Sequence, residues 1–110
     1  MKNPKWDIEE SVALFDFYFQ NGATLKISKE KIELFSQMLN TRAQKLGIPR
    51  TDTFRNVSGI CMQLGCVHYV VTNGQEGYSN ASKLFYDTYR LYVDEREKFD
   101  HILAEFNKKY

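Results

Sequence analysis

Apolar residues recur every three or four positions along most of this chain, the spacing that places them on one face of an α-helix. The first stripe comprises Ile8, Val12, Phe15 and Phe19. Asp7 precedes it and Glu10 follows three residues later, which predicts a capping box at the helix start. Asn21-Gly22 predicts the helix end, because glycine readily adopts the left-handed conformation that closes helices.

A second stripe comprises Ile32, Phe35, Met38, Leu39, Ala43 and Leu46. Ser28 is the predicted cap of this helix, and Gly47 with Pro49 predicts a firm stop. The alternative is that the helix ends or bends at Asn40-Thr41, because such short polar residues compete with the backbone for hydrogen bonds.

A third stripe comprises Val57, Ile60, Cys61, Leu64, Val67 and Val71. Thr51 and Asn56 are alternative caps, and we favour a short turn up to residue 55 followed by a helix from Asn56. Gly59 and Gly65 within this helix each cost about 1 kcal/mol relative to alanine, which indicates close approach by another helix or by a ligand backbone. The β-branched residues between 67 and 72 leave a strand as the alternative for the tail.

Residues 73–79 form a predicted loop that is rich in glycine and small polar residues. Ser79 or Asn80 caps a fourth helix, and from Asp94 a fifth helix follows or the fourth continues. The apolar positions of the fourth helix are Leu84, Phe85, Tyr89 and Tyr92, and those of the fifth are Phe99, Ile102, Leu103 and Phe106. A chain of 110 residues supports one hydrophobic core. The predicted fold class is all-α: a compact single domain, residues 1–110, of four or five helices, helix-turn-helix-like in its middle.

The formal net charge of +1 indicates no particular partner, but the charges are unevenly distributed. Four basic residues lie from Arg42 to Arg55, against the single acid Asp52, whereas residues 94–105 are predominantly acidic. A basic patch apart from an acidic face is compatible with nucleic-acid binding. Two solvated helix faces are the alternative interpretation.

The two cysteines, Cys61 and Cys66, lie five residues apart on one predicted helix and cannot readily form a disulfide. With only His68 and His101 in addition, no metal-ligand spacing occurs, so we expect neither a metal nor another cofactor. We interpret both cysteines as buried, reduced thiols, which indicate a reducing compartment, and we expect a cytoplasmic protein. No apolar run approaches the ~20 residues of a membrane span and no apolar leader pattern occurs, so we expect no membrane association.

Residue patterns typical of catalysis are weak in this sequence. Neither a phosphate-binding glycine loop nor a dinucleotide fingerprint occurs. His68 has apolar neighbours, which favours a structural role over a thiol–histidine pair with Cys61 or Cys66. We therefore predict no catalytic residue and no enzymatic activity.

The start of the third helix is the strongest candidate for a binding site. Unpaired backbone N–H groups and the positive end of the helix dipole suit phosphate oxygens. The guanidinium of Arg55 suits a guanine edge, and Asn56 suits an adenine edge or a phosphate. We predict that double-stranded DNA contacts Arg42, Lys45, Arg50, Arg55, Asn56, Ser58 and Gln63. The alternatives are that Asn56 only caps the helix and that Arg55 pairs with Asp52.

Three groups of residues carry a family resemblance: Trp6, Glu10, Leu14 and Tyr18; Ile32, Leu34, Ser36, Leu39 and Asn40; and the block Phe54-Arg55-Asn56-Val57-Ser58-Gly59-Ile60-Cys61-Met62-Gln63-Leu64. This pattern resembles the N-terminal domain of modified-cytosine-restriction HNH endonucleases. The resemblance implies a helical module that binds DNA, can sense methylated cytosine and delivers a nuclease domain. The positions it matches as DNA-binding candidates are Arg55, Asn56, Ser58, Gly59 and Met62.

The chain departs from this family pattern at three points. Val57 stands where proline is common, and Gln63 stands where lysine is common, which removes a phosphate contact. The HNH nuclease motif is absent from these residues. We therefore expect a module of a restriction or defence system that does not cut DNA by itself.

A protein-interaction module is the alternative function. A small nuclease inhibitor encoded by a phage or mobile element is one form, and a homodimerising defence subunit is another. The tyrosines from Tyr78 to Tyr92 suit such an interface, since aromatic residues are enriched there. The net charge of +1 argues against a DNA mimic, which needs a strongly acidic surface.

Overall fold

The helices form where the apolar stripes predict them. The computed structural model describes residues 2–110, and this range folds without a strand into five α-helices: α1 (Ile8–Gln20), α2 (Lys29–Leu46), α3 (Val57–Val71), α4 (Lys83–Asp94) and α5 (Arg96–Lys109). The predicted all-α single domain is confirmed, and Glu95 separates α4 from α5. Among residues 2–110, no helix is both long and apolar enough to cross a membrane.

Polar side chains cap the first three helices. Asp7 Oδ1 accepts a hydrogen bond from the Glu10 N–H at 2.9 Å, and Glu10 Oε1 accepts from the Asp7 N–H at 3.2 Å. This is the predicted capping box. Ser28 caps α2 as predicted, and of the two alternatives for α3, Asn56 rather than Thr51 is the cap.

Some predicted boundaries are wrong. The strand alternative for residues 67–72 fails, because α3 continues to Val71. The alternative break at Asn40-Thr41 also fails, because α2 runs continuously to Leu46. The cap of α4 is Ser82 rather than Ser79 or Asn80. That helix starts late because residues 77–80 first fold back against α3.

The connection between α2 and α3 is longer than the turn of a tight helix-turn-helix. Residues 47–56 separate the two helices, whereas such a turn has about three or four residues. Gly47 ends α2 as predicted, with φ of +66°. Phe54 and Arg55 are buried within this connection. The middle of the domain therefore keeps the order of a helix-turn-helix but has a longer, structured connection.

The core is built around α1, which packs against α3, α4 and α5, while α2 packs against α3. The fully buried apolar residues of α1 are Val12, Leu14, Phe15 and Tyr18. Phe15 meets Phe85 edge to face, with ring centroids 5.7 Å apart; such pairs add about 0.5–1.5 kcal/mol beyond their buried area. The side of α3 that carries Cys61 and Met62 stays exposed to solvent.

Candidate functional site

Arg55, the main predicted DNA contact, points into the protein. Its Nε donates to Glu10 Oε2 at 2.8 Å, and its Nη2 donates to Glu10 Oε1 at 3.0 Å. Nη2 also donates to the carbonyl oxygen of Pro4 at 3.0 Å. The Arg55 side chain is only 6% exposed. The prediction that this guanidinium is available to a guanine edge is therefore corrected, and so is the alternative pairing with Asp52.

Two aromatic rings enclose the Arg55 guanidinium. Its central carbon lies 4.7 Å from the ring centroid of Trp6 and 4.3 Å from that of Phe54. Stacking on aromatic faces suits the planar, weakly hydrated guanidinium. The charge is thus satisfied by the Glu10 carboxylate and by contact with two aromatic rings.

The backbone of this turn is held by α2. Ser36 Oγ donates to the carbonyl oxygen of Arg55 at 2.6 Å, and Asn40 Nδ2 donates to the carbonyl oxygen of Phe54 at 3.1 Å. Arg55 itself has φ of +48°, a left-handed conformation that costs a non-glycine residue about 1 kcal/mol. These contacts offset that cost and set the point where α3 begins.

Residues from all three parts of the family resemblance thus meet in one cluster, which we call the Arg55 anchor. It comprises Trp6, Glu10, Ser36, Asn40, Phe54 and Arg55. Sequence reasoning missed it because Glu10 was already assigned to the capping box. Its carboxylate serves both purposes, accepting from the Asp7 N–H and from Arg55.

Arg42 is also turned inward, which corrects its prediction as a DNA-backbone contact. Its Nη2 lies 2.9 Å from Asp7 Oδ2 and 3.0 Å from Glu9 Oε1, and the side chain is buried. Burial alone would lower the pKa of Arg42, but the hydrogen bond to Glu9 and the charge of Asp7 raise it above its usual value. The guanidinium therefore stays charged and joins α2 to the start of α1.

Lys45 is exposed and Arg50 is partly exposed, so both differ from the buried Arg42 and Arg55. Lys45 Nζ donates to the carbonyl oxygen of Lys109 at 3.3 Å. Arg50 Nε donates to Asn40 Oδ1 at 3.4 Å, and the residue lines a shallow depression with residues 48–52. Ser58 and Gln63 line a different surface, the groove described below. Of the four predicted basic contacts, two are therefore buried in ion pairs and two remain accessible.

Asn56 is exposed, and its Oδ1 accepts a hydrogen bond from the Gly59 N–H at 2.8 Å. If capping is its main role, Asn56→Ala should lower the free energy of unfolding by about 1 kcal/mol, whereas Asn56→Asp should change it by only a few tenths. Urea unfolding of the two variants checks this. Equal losses in both variants would contradict the capping role.

A groove of about 710 Å³ separates α3 from the segment that precedes α4. We call it the α3 groove; it is lined by Ser58, Cys61, Met62, Gln63, Cys66, Gly77, Tyr78, Ser79 and Asn80. Met62 is 59% exposed and Tyr78 is 54% exposed, so two large apolar side chains border it in solvent. None of these nine residues carries a charged side chain.

The groove exists because Tyr78 lies directly on Gly65. A Cβ atom at Gly65 would lie 2.3 Å from the Tyr78 ring, and the Tyr78 N–H donates to the carbonyl oxygen of Gly65 at 3.0 Å. Another group does approach Gly65 closely, but it is an aromatic ring rather than the predicted helix or ligand backbone, and a Cβ at Gly59 would meet only its own cap, Asn56 Oδ1, at 3.0 Å. Gly77 allows it, with φ of +98° and no room for a side chain against the backbone of α3. The sequence hint was Gly65 together with the glycine-rich loop.

The thiols of Cys61 and Cys66 are free, as predicted, but the prediction that both are buried is wrong for Cys61. Cys61 is exposed at the groove, whereas Cys66 is buried beneath it. Burial raises the pKa of the Cys66 thiol, so it stays protonated and is a poor nucleophile. Among residues 2–110, no group of three or more histidine, cysteine or acidic residues is placed to hold a metal ion.

Comparison with known proteins leaves the family open. No protein-family model, no curated protein and no solved structure matches this chain. The resemblance to the restriction-endonuclease domain therefore stays a prediction from the sequence. Six of the residues that carry the resemblance lie in the Arg55 anchor, where they position α3, whereas Ser58, Met62 and Gln63 of the same block line the α3 groove.

Proposed function

We propose that this chain is a non-catalytic protein-interaction module whose α3 groove receives an extended peptide segment of its partner. The observation that carries the proposal is the pairing of exposed Met62 and Tyr78 around an uncharged groove. Flexible methionine and rigid tyrosine side chains suit an apolar anchor residue of a partner. The hydroxyl and amide groups of Ser58, Gln63 and Asn80 suit the backbone of the bound peptide.

A second depression continues the α3 groove and indicates the charge of the partner. The two surfaces share Gln63 and Asn80, and the second one also includes Trp6, Leu84 and Lys5. Lys5 is the charged residue among those that line the two depressions. A peptide with an apolar anchor followed by an acidic residue matches this arrangement.

Direct DNA binding is the competing hypothesis. Fewer of the predicted basic side chains are accessible for it than the sequence indicates. Phosphate contacts need accessible lysine or arginine side chains, and Arg42 and Arg55 are buried in ion pairs. Of the four predicted basic contacts, Lys45 and Arg50 remain accessible to a duplex, methylated or not. The family resemblance supports a place beside a nuclease in a restriction or defence system, and the free thiols favour a reducing compartment such as the cytoplasm.

Selection of peptides from a displayed random library tests the proposal. Enriched peptides should carry an apolar anchor and an acidic residue, and Met62→Asp should weaken their binding about tenfold or more, since it places a charge at the anchor. Leu34→Asp is the matched control, because Leu34 is 64% exposed on α2 and does not line the groove.

Failure to enrich any peptide would favour the DNA-binding hypothesis. If no peptide is enriched, titration with methylated and unmethylated duplexes of one sequence at two salt concentrations decides between the hypotheses. Salt-sensitive duplex binding that Lys45→Ala and Arg50→Ala together remove, and that Met62→Asp leaves intact, would overturn the protein-interaction proposal.

A further inference from the structure

A hydrogen-bonded chain of Tyr18, His68 and Glu76 lies behind the loop that supplies Tyr78. Tyr18 Oη lies 2.6 Å from His68 Nδ1, and His68 Nε2 lies 2.8 Å from Glu76 Oε1. Tyr18 Oη also donates to the carbonyl oxygen of Ala23 at 3.1 Å. Tyr18 is fully buried, the His68 side chain is 11% exposed, and Glu76 is open to solvent. A titratable ring therefore connects the core to an exposed loop.

These hydrogen bonds determine how many protons His68 needs. The Ala23 carbonyl only accepts, so the single hydroxyl proton of Tyr18 goes to it and the hydroxyl oxygen accepts from the Nδ1 side. The Glu76 carboxylate also only accepts, so Nε2 must carry a proton as well. All three contacts are satisfied together only by a doubly protonated ring. A neutral ring leaves one of them without its proton.

The groups that face His68 come from two elements. Tyr18 faces it from α1 and Glu76 faces it from the loop, while Tyr89 of α4 acts on Tyr18. Burial raises the pKa of Tyr18, and Glu76 and Tyr89 add to this rise. Tyr18 therefore keeps its proton near neutral pH, and that proton stays available to the Ala23 carbonyl.

Glu76 belongs to the loop that carries one wall of the α3 groove. The Glu76 N–H donates to Thr72 Oγ1 at 3.1 Å, which ties the loop to the end of α3. Gly77 and Tyr78 follow directly, and the Tyr78 N–H bonds to Gly65. Since only one residue separates Glu76 from Tyr78, a stronger hold on the Glu76 side chain keeps the Tyr78 ring against α3.

We propose that His68 is a proton-dependent latch of the α3 groove. When the imidazolium binds Glu76, the loop holds Tyr78 against α3, and when the ring is neutral, this hold is weaker. An ion-paired hydrogen bond is stronger than one to a neutral ring. Histidine is the residue type whose charge changes closest to neutral pH, so pH is the variable that tests the latch. This inference rests on the proposed function only in that the groove is the surface being regulated.

Amide hydrogen exchange at Tyr78 tests the latch without a partner. After correction for intrinsic exchange, the protection of this N–H should fall about fivefold between about pH 5.5 and pH 7.5. Glu76→Gln keeps a hydrogen-bonding side chain but removes the charge, so its protection should be nearly independent of pH. His101→Gln is the matched control, because His101 is exposed on α5 and should leave the wild-type dependence intact.

Two outcomes would overturn the latch: constant protection in the wild-type protein, or the same fall in Glu76→Gln. Glu76 is a surface residue, so Glu76→Gln should fold normally, which circular dichroism confirms. Exchange at Tyr78 and peptide binding at Met62 are independent measurements. The latch can therefore fail while the protein-interaction proposal stands, and the reverse also holds.

Discussion

Arg55→Ala should destabilise the fold by about 3–5 kcal/mol, because removing one partner of a buried ion pair leaves the other charge uncompensated. Glu10 would lose both hydrogen bonds from the guanidinium, and its side chain is only 3% exposed. Trp6 and Phe54 would lose the group packed between them. Urea unfolding, monitored by circular dichroism, measures the loss.

Arg50→Ala is the matched control for this prediction. Arg50 is partly exposed and makes only long hydrogen bonds, of 3.4 and 3.5 Å, to α2 and its own loop. Its replacement should change stability by about 0.5 kcal/mol or less. Unchanged stability in Arg55→Ala, together with a loss of DNA affinity, would contradict the anchor and restore Arg55 as a DNA contact.

Gly77→Ala should destabilise the protein by about 2–3 kcal/mol and release Tyr78 from α3. The residue has φ of +98°, and its Cβ would lie 2.4 Å from the carbonyl oxygen of Gly65 and 2.7 Å from the backbone nitrogen of Tyr69. Both are backbone atoms of a helix, so neither can rotate away. The loop must move instead, and the wall of the α3 groove moves with it. Urea unfolding and exchange of the Tyr78 N–H report the two consequences.

Gly47→Ala measures the cost of a positive φ alone, without the steric clash that a Cβ at Gly77 would cause. Gly47 also has positive φ, at +66°, but among residues 2–110 no atom outside its immediate neighbours lies within 4 Å of a Cβ at this position. Its replacement should cost only about 1 kcal/mol and leave Tyr78 protection unchanged. Equal effects of the two substitutions would contradict the argument that the groove depends on contact between Gly77 and α3.

The caps show what local sequence patterns predict well. Asp7 and Glu10, Ser28, and Asn56 satisfy backbone groups within three residues of themselves, so their neighbours alone specify the interaction. The cap of α4 shows the limit. Ser79, Asn80 and Ser82 are chemically similar. Ser82 is the cap because the segment before it packs against α3.

The candidate site could be predicted only in part for the same reason. Ser58 and Gln63 are predicted DNA contacts, and both line the α3 groove. Arg55 looked equally available, but its partner Glu10 lies 45 positions away in the sequence. No spacing rule connects residues so far apart, so burial of that guanidinium could not be foreseen.

The sequence by itself determined the all-α class and the apolar faces of the helices, because helical periodicity and caps act between residues a few positions apart, but it left their number at four or five. Only the tertiary structure decided which polar residues remain exposed, because Arg42 and Arg55 find their carboxylates on α1 or at its start. The groove was likewise decided in three dimensions, since it forms only when Tyr78 returns to Gly65. A charged side chain is available to a partner only where it does not already form an ion pair within the fold.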